Sequence, residues 1–96
     1  MLYSINSENV ASRILDDGAV VINYQTGYYF SLNQSGTLIW EWLGQRAMTL
    51  DELSASLAKE FELQKEDVTS QVANLLNDLV KEGLLIAGES YGKETN

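Results

Sequence analysis

The sequence predicts an α+β fold, a three-stranded antiparallel β-sheet followed by three α-helices. β-Branched and aromatic residues crowd the stretch from Val10 to Leu32, and turn signals at Asp16-Asp17-Gly18 and Gln25-Thr26-Gly27 interrupt it. From Leu38 onward the apolar residues recur at helical spacing. The two patterns occupy separate parts of the chain instead of alternating, which favours α+β over a parallel α/β layout.

Val10 to Leu15 forms the first strand, and Asp16-Asp17-Gly18 supplies a hairpin turn. Ala19 to Tyr24 is the second; its near-continuous apolar run suits a central strand buried on both sides. Tyr28 to Asn33 is the third. Alternation places Tyr28, Phe30 and Leu32 on one face, the expected core face, and Tyr29 and Ser31 on the other. Asn33 or Ser35 caps a first helix from about Gly36 to Leu43, ended by Gly44-Gln45-Arg46. Leu38, Ile39, Trp40, Trp42 and Leu43 ring that helix and predict burial on most sides. Phe30 and Trp40 are expected in the core; Tyr29 and Trp42 fit core or contact equally, and Leu38 with Trp42 suggests a second apolar stripe.

Thr49-Leu50-Asp51-Glu52 reads as a capping box opening a second helix, whose apolar face is Leu50, Leu53, Leu57 and Phe61. The third helix, Lys65 to Glu82, carries the stripe Val68, Val72, Leu75, Leu76 and Leu79, with Gly83 as its stop. Leu84 to Ala87 is a short strand or a packed tail, and the polar residues 88–96 are expected to be flexible. Two short helices and a longer one with tight connections also suit a winged helix-turn-helix.

Composition excludes several functions. The 96 residues make one domain, and 45% of them are hydrophobic, enough for a small core. Neither Cys nor His occurs, which removes thiolate chemistry, the commonest general base and the commonest metal ligand. Ser31 and Ser35 have no evident base, and Asp16-Asp17 and Asp51-Glu52 fit turn and helix-start roles. No phosphate loop or calcium loop is present, so neither a catalytic site, a cofactor nor a metal is expected. Fourteen acidic residues against six basic ones give a net charge of −8, which disfavours nucleic acid and favours a partner bearing Lys or Arg. No apolar run approaches the ~18 residues of a membrane span, and no signal peptide is evident, so a cytoplasmic protein without membrane contact is the expectation.

In this meander the third strand is an edge, and an exposed edge is either protected or used to capture another chain. One set of its N–H groups, Tyr28, Phe30 and Leu32 or else Tyr29 and Ser31, must pair with the second strand. The other set faces outward, and the residues leave open which is which.

The run Ala19 to Asn33, with its Thr26-Gly27 turn, paired aromatics and Leu32-Asn33, resembles the start of the PqqD-like proteins. Gly36 and Ile39-Trp40, the Thr49-opened helix, and Leu79-Val80-Lys81-Glu82-Gly83-Leu84 continue the pattern, so that the resemblance covers about Ile14 to Ile86. One departure is Gln71 before Val72, where the family often has Asp. The resemblance implies a RiPP recognition element spanning residues 1–87, a winged-helix-like, non-catalytic adaptor. Such a domain binds the leader of a ribosomally made precursor peptide as a strand added to its third strand. It then presents the peptide to a modifying enzyme or protease of a lasso-peptide, pyrroloquinoline-quinone or radical-SAM type pathway. The residues this points to are Tyr28, Tyr29, Phe30, Ser31 and Leu32 on the strand. On the long helix they are Val68, Val72 and Leu75, with Gln71, Asn74 and Asp78 at the rim. A winged-helix transcription regulator and a structural subunit of an enzyme complex are the alternatives. The first fits poorly, because Lys65 and Lys81 face Glu66, Asp67, Asp78 and Glu82 on the helix that would read DNA.

Overall fold

The computed structural model describes residues 1–88. In chain order they form β1 (Leu2–Ile5), β2 (Val10–Leu15), β3 (Gly18–Asn23), β4 (Tyr29–Leu32), α1 (Gln34–Gln45), β5 (Met48–Thr49), α2 (Leu50–Phe61), α3 (Lys65–Lys81) and β6 (Leu85–Gly88). The expected three-stranded antiparallel sheet is β2-β3-β4, with β3 in the centre. A second antiparallel sheet, in the order β5-β1-β6, adds two strands that the residues did not announce, β1 and β5, to the short strand expected near Leu84 to Ala87. Its strands have two to four residues and come from distant parts of the chain, so none carries a periodic pattern of its own. Gly88, expected in a loose tail, is the last residue of β6 and pairs with Leu2. The rest of that tail lies outside the described residues.

β3 is central but not buried on both faces. Ala19, Val21 and Asn23 are buried, whereas Val20 and Ile22 are only half-buried. The inner face packs on the helices; the outer face floors a shallow depression with Ala11, Arg13 and Tyr29.

The chain passes from β4 into α1 without a loop because the residue after Leu32 is itself the cap. Asn33 Oδ1 accepts from the Gly36 N–H (2.9 Å) and from the Ser35 hydroxyl (3.2 Å), so Asn33, not Ser35, is the N-cap. At α2 both bonds of the capping box form: the Glu52 N–H donates to Thr49 Oγ1 (3.1 Å) and the Thr49 N–H to Glu52 Oε1 (2.9 Å). α2 ends with Glu62 in the left-handed region (φ 57°), from which the Leu63 N–H reaches the Ala58 carbonyl at 2.8 Å. α3 ends in a Schellman motif. Gly83 has φ +76°, its N–H donates to Val80 (3.0 Å), and the Leu84 N–H donates to Leu79 (2.9 Å).

One apolar cluster joins the layers. Val21 and Leu32 of the sheet, Ile39 and Trp40 of α1, Leu53 and Leu57 of α2, and Val72, Leu76 and Leu79 of α3 are all buried in it. Phe30, Leu38 and Trp42 pack on it half-exposed, so α1 is covered on fewer sides than its composition suggests. Tyr29, by contrast, is 65% exposed, which puts it off the core.

Among the described residues, Ser54 has the one buried side-chain polar atom without a hydrogen-bond partner. A hydroxyl left unpaired in a dry core costs about 1–3 kcal/mol, and Ala is also the better helix former. Ser54→Ala should therefore raise stability by about 1 kcal/mol or more, read as a higher urea midpoint with an unchanged slope.

Candidate functional site

The ladder between β3 and β4 decides the parity left open by the residues. The Asn23 N–H donates to the Tyr28 carbonyl (2.8 Å), which puts these two residues at a bonded position of the ladder, although the Tyr28 N–H itself turns to Thr26 Oγ1 (3.0 Å). Along the register Ile22↔Tyr29, Val21↔Phe30, Val20↔Ser31 and Ala19↔Leu32, such pairs alternate with non-bonded ones. Phe30 and Leu32 therefore point their backbone groups at β3. Tyr29 and Ser31 point theirs out of the sheet, along an edge where β4 has no neighbouring strand among the described residues.

α3 approaches the two ends of β4 at two points. At the start of β4, the buried Asn23 donates from Nδ2 to the carbonyls of Glu82 (3.2 Å) and Gly83 (3.3 Å), just past the end of α3. Its Oδ1 accepts from the N–H groups of Gln25 (2.8 Å) and Thr26 (3.3 Å), and its own carbonyl accepts from Gly27 (2.8 Å). One side chain thus shapes the turn into β4 and ties it to α3. At the far end, Asn33 and Ser35 share a cavity of about 130 Å³ with Gln71, Val72 and Leu75 of α3. The spans agree: Val72 to Gly83 covers about 17 Å of helix, and Tyr28 to Asn33 about 17 Å of strand. The end of α3 thus meets the start of β4 and its middle meets the residues that follow β4, so helix and strand run in opposite directions.

The cavity at the Asn33 end continues into a second one of about 300 Å³, lined by Gln34, Phe61, Leu63 and Val68. Asn33, Ser35, Leu57 and Gln71 belong to both, so the two form one cleft. Of the residues expected on α3, Val68, Gln71, Val72 and Leu75 line it. Asn74 and Asp78 are exposed further along the same helix, outside the two cavities. Tyr28 to Leu32 supply no side chain to the cleft. Leu32 is core, Phe30 is half-buried on the core side, and Tyr28 and Tyr29 are exposed. What β4 offers at this edge is its backbone. The sequence reading missed Asn33, Gln34, Ser35, Ile39, Leu57, Phe61 and Leu63. Phe61 at the end of α2 and Leu63 just after it were the signal available, two large apolar residues at a connection, and the structure leaves them 39% and 51% exposed. All residues lining the cleft are uncharged, so its chemistry is apolar contact plus amide and hydroxyl hydrogen bonding. Among the described residues no group of three acidic side chains could hold a metal ion, and no helix is long and apolar enough to cross a membrane.

The model of a protein family described as Coenzyme PQQ synthesis protein D (PqqD) matches residues 18–85. Two solved structures share the fold. One, described as TbiB1 in complex with the TbiA(beta) leader peptide, superposes with a TM-score of 0.78 at 26% identity, covering 91% of this chain and 99% of that one. The other, a lasso peptide synthetase B1 complexed with the leader peptide, has a TM-score of 0.74 at 21% identity, covering 88% and 98%. No curated protein matches the sequence.

The ladder parity has a direct test. Proline lacks the N–H and is tolerated in a strand only where that N–H faces outward. Ser31→Pro and Tyr29→Pro should keep the parent circular dichroism spectrum and melt within a few degrees of it. Phe30→Pro should lose cooperative unfolding, while Phe30→Ala, which removes the ring but keeps the N–H, should still fold. A folded Phe30→Pro beside an unfolded Ser31→Pro would reverse the assignment.

Proposed function

The chain belongs to the PqqD family, and on that premise we propose that it is a RiPP recognition element. In this reading it is a non-catalytic adaptor that binds the leader of a ribosomally made precursor peptide and presents it to a modifying enzyme or protease. The observation that carries the reading is the unpaired outward edge of β4, with an uncharged cleft of apolar, amide and hydroxyl side chains between α3 and the residues that follow β4. An extended peptide added there would exchange main-chain hydrogen bonds with Tyr29 and Ser31 and seat apolar side chains against Val68, Val72 and Leu75. Gln71 offers an amide at the same place, and Asn74 and Asp78 are the polar groups further along. The likeness to a leader-bound TbiB1 at 26% identity supports this reading and favours a lasso-peptide type of pathway.

A non-catalytic role accords with the side chains at hand. The cleft holds amides, hydroxyls and hydrocarbon, none of which is a general base near neutral pH. A DNA-reading role is disfavoured by α3, whose first turn carries Glu66 and Asp67.

The reading is tested with a synthetic leader peptide of the cognate precursor, sought among short open reading frames beside the gene for this chain. Calorimetry should give a dissociation constant between nanomolar and micromolar, about −8 to −12 kcal/mol. Ser31→Pro should weaken it at least ~tenfold, about 1.4 kcal/mol, without unfolding the chain. A structural subunit that binds no peptide would give no heat. The full precursor incubated with this protein alone should keep its mass; a cleaved or modified product would end the adaptor reading.

A further inference from the structure

The cleft beside α3 does not stop at Phe61. A further cavity of about 250 Å³ opens between the β2–β3 turn, α1 and the end of α2, and shares Gln34 and Phe61 with the cleft. Its apolar lining is Ile14, Leu15, Leu38 and Phe61. Three of these are large side chains left in water, 51% exposed for Ile14, 47% for Leu15 and 39% for Phe61. Side chains of this kind gathered around one concavity mark a surface that another molecule covers.

The rim differs from that of the cleft. Asp16, Asp17, Glu41 and Glu60 stand around it, and no Lys or Arg lines it. The ion pairs of the described residues lie elsewhere, at Arg46–Glu52 and Lys65–Asp51, so these four carboxylates are uncompensated. They also form no cluster that could hold a metal ion. An apolar floor under four unpaired carboxylates suits a side chain with a hydrocarbon stem and a cationic head, which is the chemistry of Lys or Arg.

The geometry points to this cavity as a second subsite for the same peptide, taking a Lys or Arg flanked by apolar residues just beyond the strand on β4. The inference rests on the peptide-binding reading and deepens it. Apolar anchors in the neutral cleft supply affinity, and the acidic subsite selects among peptides by charge. The continuity through Gln34 and Phe61 makes the peptide itself the occupant, because a chain leaving the cleft past Phe61 enters the acidic cavity directly.

A phage library of random 16-residue peptides tests this with the intact chain. Wild type should enrich an apolar, strand-forming run with Lys or Arg displaced to one side of it, and Ser31→Pro should bind each of these peptides at least ~tenfold more weakly. E41K/E60K changes two exposed helix positions and leaves the turn intact; it should shift the preference at the displaced position to Asp or Glu. D16N/D17N, which keeps turn-compatible residues, should weaken a selected basic peptide about three- to tenfold in low salt, a difference that fades at high salt. Binders that depend on β4 but show no charge preference, or the same preference in E41K/E60K, would overturn the subsite and leave the peptide-binding reading intact. So would a wild-type chain that dimerises through this face while E41K/E60K stays monomeric. No binders at all, or binders that Ser31→Pro holds as tightly as wild type, would overturn the reading and the subsite with it.

Discussion

The arrangement of the site depends on Asn23. It sits at the end of the central strand, 3% exposed, and its amide divides its two ends between the two walls of the candidate groove. The oxygen accepts from the turn that launches β4, while the nitrogen donates to the carbonyls where α3 stops. Without that amide, the Glu82 carbonyl and the Gln25 and Thr26 N–H groups would lose this partner, and the Gly83 carbonyl would keep only Asn6. Gly83 belongs to the same junction for a steric reason. Its φ of +76° disfavours any side chain, and a Cβ there would lie 2.7 Å from Asn23 Nδ2. Asn6 adds a third element by donating to the Gly83 carbonyl at 3.0 Å, which ties the β5-β1-β6 sheet to the same point.

The groove is therefore anchored unevenly. Its Tyr28 end is fastened by this network of hydrogen bonds, whereas its Asn33 end is a junction of side chains around open space. Charge is distributed with the same asymmetry. The net charge of −8 is a property of the whole surface, yet the cleft is neutral and four of the fourteen carboxylates stand around the cavity beyond Phe61. Total charge alone would have put the electrostatics everywhere.

Much of this was legible in the residues because it is local. The turn at Asp16-Asp17-Gly18, the capping box at Thr49 and Glu52, the Gly83 stop and the Val68–Leu79 stripe each depend on neighbours within a few positions, and each is found where the pattern puts it. What was illegible depends on tertiary pairing. β1 and β6 are partners more than 75 residues apart by register, Leu2 with Gly88 among them. β3 reads as an interior strand because Val20 and Ile22 are apolar, but hydropathy does not say whether a face is covered. The site splits the same way. The α3 contributors follow from helical spacing, whereas Asn33, Ser35 and Leu57 reach the cleft only through the packing of three elements, and their local roles as cap, first-turn residue and core residue disguise them.

The shortness of β4 bears on how such a protein changes over time. Two outward residues expose at most two N–H and two C=O groups, and four hydrogen bonds at about 1 kcal/mol each come to about 4 kcal/mol. Even micromolar binding needs about 8. The backbone edge, indifferent to sequence, can hold a guest in place but cannot retain it alone, and the remainder falls to a handful of side chains on α2, α3 and the β2–β3 turn. Leu57, Val68 and Val72 among them belong to the core, but Phe61, Leu63, Gln71, Leu75 and the turn residues are exposed or half-exposed and free to vary. A lineage could therefore exchange one guest for another by changing the cleft and its rim, with the strand edge and the Asn23 junction left as they are.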